Sequence, residues 1–72
     1  MPELELLSVV ALLDEVAEKG LKRGQVGTIV EVLSPGVYEV EFSSDSGRTY
    51  ASLALASNRL LPLVHEPTSQ AA

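Results

Sequence analysis

Hydrophobic and polar positions alternate most cleanly across residues 37–43. Tyr38, Val40 and Phe42 fall on one side, and Glu39, Glu41 and Ser43 on the other. A period of two is the mark of a half-buried strand. The run before it, residues 26–33 (VGTIVEVL), is rich in β-branched side chains, which suit a pleated surface. Its alternation groups Val26, Thr28, Val30 and Val32 against Gly27, Ile29, Glu31 and Leu33. Ser34-Pro35-Gly36 separates the two runs, with Pro presetting φ and Gly accepting a positive φ. The pattern predicts a β-hairpin whose core side carries Val26, Val30, Val32, Tyr38, Val40 and Phe42. On this assignment Val30→Asp buries an unpaired charge and unfolds the domain.

The rest of the chain continues the theme. Ser44-Asp45-Ser46-Gly47 predicts a second turn. Residues 48–56 (RTYASLALA) form a third run whose alternation breaks near Tyr50, as a bulge or bend would make it. Residues 57–59 predict a short turn of 3-10 type. Residues 60–64 predict an edge strand, where Pro62 is tolerated. Residues 65–72 (HEPTSQAA) lack periodicity and predict a disordered tail beyond a single domain of residues 1–64. The N-terminal segment has two readings. Leu6, Val9, Val10, Leu13, Val16 and Ala17 sit at helical spacing before Gly20, yet SVVALL also reads as a short buried strand followed by a charged loop. A small barrel needs that first strand to close, which favours the strand and a long loop near residues 14–25.

Composition narrows the functional classes. Seventy-two residues make at most one domain, and without cysteine no disulfide or thiolate-bound metal can staple it. The core must be aliphatic, because the chain has no Trp, one Phe and two Tyr. The opening MPELELL places acids where a secretory signal carries Lys or Arg, so a cytoplasmic protein without a membrane span is expected. A formal charge of -5 repels phosphate backbones and anionic lipid, and favours basic protein partners.

Candidate chemistry is sparse. Serines abound, but a nucleophile needs a positioned base, and the only histidine is His65 at the start of the polar tail. One histidine and no cysteine leave no zinc set, and Asp45 among serines lacks the ligand spacing of a calcium loop. No enzyme activity and no cofactor are expected. Glu31, Glu39 and Glu41 read as an outer acidic face able to meet a basic partner. Lys22 and Arg23, with Lys19 nearby, form a basic cluster that follows Asp14, Glu15 and Glu18 and has no interleaved aromatics for stacking on bases. Arg48 and Tyr50 open the third run, an Arg–Tyr combination of the kind that anchors interfaces.

The succession LLSVVALL, GLKRGQVGTIVEVL, PGVYEVEF, GRTYASLAL and NRLLPL resembles a family of short bacterial proteins, domain of unknown function 4926. The resemblance spans residues 6–63 and implies a five-stranded SH3-like barrel with a long loop after the first strand, but no mechanism. Gly24, Gly27, Ile29 and Val30 are also similar to the KOW-type segment of ribosome- and transcription-associated SH3-like domains, and to small barrels attached to redox enzymes and nitrile hydratase. The expectation is a mainly β, non-enzymatic interaction module: an accessory subunit, or an antitoxin- or immunity-like partner of another protein. The partner-binding candidates are Glu31, Glu39, Glu41, Lys22, Arg23 and Arg48. The alternatives are a KOW-like nucleic-acid or ribosome-associated module and a homo-oligomer built by edge-strand pairing.

Overall fold

The computed structural model describes residues 4–64. Five strands form in chain order: β1 Val9–Leu12, β2 Val26–Ser34, β3 Val37–Ser43, β4 Thr49–Ala56 and β5 Leu60–Pro62. Short 3-10 turns cover Ala17–Lys19 and Ser57–Arg59. The N-terminal segment is therefore a strand followed by a long loop. All neighbouring strands pair antiparallel, in the order β4-β3-β2-β1-β5. The barrel closure that the resemblance implies is not formed. β4 and β5 are the two edges of one open sheet, each paired on one side only. His65 and the rest of the expected tail lie outside the described residues.

The turns form where their residue types demand. Pro35-Gly36 joins β2 to β3 with Gly36 at φ 78. Gly47, at φ 86, closes the next turn by donating its N–H to the Ser44 carbonyl at 2.8 Å. The irregularity expected near Tyr50 is a bulge. Phe42 pairs with Ala51 and Ser43 with Thr49, so Tyr50 is the extra residue on β4.

The core lies on one face of the sheet. Val10 and Leu12 of β1, Ile29 of β2, Tyr38, Val40 and Phe42 of β3, Leu55 of β4 and Leu60 of β5 are buried together. Val16 and Leu21 of the long loop join them. Reciprocal backbone hydrogen bonds of 2.9 and 3.1 Å tie Val16 to Leu21, so the loop folds back as a lid on one end of the core.

Tyr38, Val40 and Phe42 are core residues as expected, but the phase of β2 is reversed. Val26, Val30 and Val32 are 47%, 38% and 46% exposed, whereas Gly27 and Ile29 face inward. Gly27 is the cause. A Cβ there would stand 2.8 Å from Val40 Cγ1 and 2.9 Å from the Phe42 ring, so Val40 and Phe42 of β3 pack over a bare backbone. Val26, one residue earlier, must point outward. A bulge between Ile29 and Glu31 then takes up Val30 as the extra residue. Val32 shares a row with buried Tyr38, but β2 has by then run past its pairing with β1, which ends at Thr28, and the side chain stays half exposed. The expected unfolding by Val30→Asp moves accordingly to Ile29.

Candidate functional site

Strand direction sorts the charges. β1 and β3 end where β2, β4 and β5 begin, because every pairing is antiparallel. Lys19, Lys22 and Arg23 lie in the β1–β2 connection, Arg48 directly before β4 and Arg59 directly before β5. All five Lys and Arg of the chain therefore sit at one end of the sheet. Asp14, Glu15, Glu18 and Asp45 share that end, which leaves it close to neutral. The remaining described acids, Glu5, Glu31, Glu39 and Glu41, have no base among them.

Two residues that are not among the partner-binding candidates, Arg59 and Gln25, hold the basic end together. Arg59 Nε donates to Asp14 Oδ1 at 3.1 Å, and Arg59 Nη2 donates to the Glu15 carbonyl at 3.1 Å. Gln25 Oε1 accepts from the Lys22 backbone N–H at 2.6 Å, while Gln25 Nε2 donates to Tyr50 Oη at 2.8 Å. The tyrosine thus ties the long loop to β4. Lys22 and Arg23 line an open cleft of about 590 Å³ with Leu13, Asp14 and Glu15. Charges of both signs meet there, so the cleft presents no single-sign field to a phosphate chain.

The acids behave differently. Glu31 pairs directly opposite Glu39, and Glu41 lies in the next row, opposite Thr28. Directly paired side chains share a face. The three carboxylates therefore stand on the outer face of β2 and β3, away from the core. Ser52 Oγ of β4 donates to Glu39 Oε2 at 2.6 Å, and Ser52 is itself the register partner of Glu41. Two like charges opposite each other cost stability in a free sheet. The structure thus brings Glu31, Glu39 and Glu41 together as one surface. Lys22, Arg23 and Arg48 are placed elsewhere, at the end of the sheet.

Among the described residues no group of three or more His, Cys, Asp or Glu is arranged to hold a metal ion. No helix among them is long and apolar enough to cross a membrane. Of the two glycines in the KOW-like segment, Gly27 packs beneath Val40 and Phe42, and Gly24 takes a positive φ of 90.

No curated protein and no solved structure matches the chain. The sequence model of one family does, over residues 6–62, from the turn before β1 to the end of β5. With that match spanning all five strands, the chain belongs to the family described as domain of unknown function (DUF4926).

Proposed function

We propose that this protein is a non-enzymatic interaction module that binds another protein through the outer face of β2 and β3. The observation that carries the proposal is the cross-strand placement of Glu31, Glu39 and Glu41 on one outer surface, Glu31 exposed and Glu39 and Glu41 half-buried, with none of the three in an ion pair among the described residues. A like-charged pair opposite each other is relieved when a cationic group settles between them. Such a surface raises the association rate and sets specificity against acidic competitors. A cytoplasmic accessory subunit, or an antitoxin- or immunity-like neutralising partner, is the concrete role we assign. The strand order, with a long loop after β1 and a 3-10 turn before β5, supports reading the fold as an open relative of SH3-like barrels.

A second reading, a KOW-like nucleic-acid module, draws on one feature: all five bases gather at one end of the sheet. Four acids interleave with them, and Arg59 is engaged by Asp14. Affinity capture from lysate of the source cell, with and without nuclease, separates the two readings. The module reading expects one protein at stoichiometric yield that nuclease leaves untouched. Nucleic acid or ribosomal proteins that nuclease releases would overturn it in favour of the second reading.

A further inference from the structure

β1 is apolar on both faces. Val10 and Leu12 point into the core, while Val9 and Ala11 alternate with them and point outward. A strand in a sheet with one solvated face alternates apolar with polar; a continuous apolar run belongs to a strand covered on both sides. The neighbours extend the pattern. Ala11 pairs with Val26 on β2 and with Leu61 on β5, so these three form an outer row across three strands. Val9 pairs with Thr28, and the Leu63 N–H donates to the Val9 carbonyl at 3.0 Å, which sets Leu63 in the next row. Val26 and Leu61 are 47% and 48% exposed. Ala11 is the one buried apolar residue, among those described, that does not join the core cluster.

This apolar field is continuous with the acidic surface. Val9, Thr28, Glu41 and Ser52 lie in a single row across β1, β2, β3 and β4. At a strand spacing of about 4.8 Å, Glu41 stands about 10 Å from Val9. Glu31 and Glu39 form a row farther along the same face.

We infer that this outer face of β5-β1-β2, with the acids beside it, docks a cationic protein segment that carries aliphatic side chains along one side. The inference rests on the interaction-module reading and adds where the partner lies and what it must offer. Charge complementarity selects the occupant. Of the aliphatic residues only Val26 and Leu61 are exposed, with Val9 and Leu63 half-buried and Ala11 buried, so they alone fall well short of the ~800 Å² each partner buries in a stable dimer. A larger contact has to include the acid rows, and only a cationic partner gains by covering them. A second copy of this chain packed face to face would set acid against acid. The eight residues after Val64, HEPTSQAA, supply neither Lys or Arg nor a large aliphatic side chain.

The test is a titration of the full chain, labelled with nitrogen-15, with a short peptide of alternating Leu and Lys. A Ser-Lys peptide of equal charge serves as control. The expected result is amide shifts concentrated at Val9, Ala11, Val26 and Leu61, with affinity about tenfold lower for the Ser-Lys peptide. Val26→Ser with Leu61→Ser, both at exposed positions, weakens the Leu-Lys peptide about tenfold and leaves the fold intact. Shifts confined to the β4 edge or the loop cleft, or affinity indifferent to the double variant, would overturn the inference. Concentration-dependent self-association of the free protein mapped to the same residues would also overturn it, by naming a second copy as the occupant. So would contacts from residues 65–72 to Val26, or binding to lipid vesicles that the double variant loses. Lysate capture separates failure of the site from failure of the module. A partner retained equally by the double variant removes the site alone, and a wild-type chain that retains no protein removes both.

Discussion

At the residue scale the molecule turns on Gly27. It is a small residue in a strand of valines, and its lack of a side chain lets Val40 and Phe42 close over β2. Gly27→Ala is expected to force those side chains off their positions and to cost about 1–3 kcal/mol, read as a lower urea midpoint at unchanged slope. The same geometry separates two adjacent apolar residues. Ile29 is fully buried and Val30 is 38% exposed at a bulge. Ile29→Asp is expected to abolish the folded circular-dichroism signal, because it buries a charge without a partner. Val30→Asp is expected to remain folded within about 1 kcal/mol of wild type. A folded Ile29→Asp or an unfolded Val30→Asp would reverse the assigned phase of β2. Surface charge acts at this scale too. Glu31→Lys replaces a like-charged cross-strand pair with an opposite one and is expected to stabilise by about 0.5 kcal/mol at low ionic strength. That gain should shrink as salt screens it. A variant that is more stable but binds its partner less well would show that the repulsion is kept for recognition.

At the element scale, much of this fold can be read in the sequence. Pro35-Gly36 and Gly47 announce their turns because few other residues accept those backbone angles. Tyr38, Val40 and Phe42 alternate with Glu39 and Glu41, so polarity alone fixes the inner face of β3. β2 offers no such contrast. Val26, Val30 and Val32 compete with Ile29 for the core, and a glycine resembles a gap in either set. The deciding fact is the approach of Val40 and Phe42 from another strand, which local pattern does not contain. The open sheet has a similar origin, since closure depends on whether β4 reaches β5, a contact between segments distant in the fold. The candidate acids were legible for the same reason as β3. The apolar outer face was not: β1 reads as a buried strand without saying what buries its second side. The loop is held at its ends by Arg59 and Gln25, whose partners Asp14, Glu15 and Tyr50 lie far along the chain or on another strand, where no local pattern shows them. The Arg59–Asp14 pair is solvent-exposed, so Arg59→Ala is expected to cost under about 1 kcal/mol while speeding amide exchange at Leu13 and Val16. Unchanged exchange there would mean that the Val16–Leu21 bridge and the Gln25 contacts hold the loop without Arg59.

At the scale of the whole molecule, charge is separated along the sheet. Every base lies at the end where β2, β4 and β5 begin, and the outer face carries acids with an aliphatic field beside them. A net charge of -5 does not show this separation, in which the basic end is close to neutral and three of the remaining acids gather on the face. A partner guided by that field arrives cationic side first. The account therefore assigns recognition to the face and leaves the basic end out of it. Parallel lysate capture with two charge-reversed chains tests this most directly. One carries Glu31→Lys, Glu39→Lys and Glu41→Lys; the other carries Lys22→Glu, Arg23→Glu and Arg48→Glu. The account predicts that the first loses the protein partner that wild type retains and the second keeps it. A partner kept by the first chain and lost by the second would contradict it.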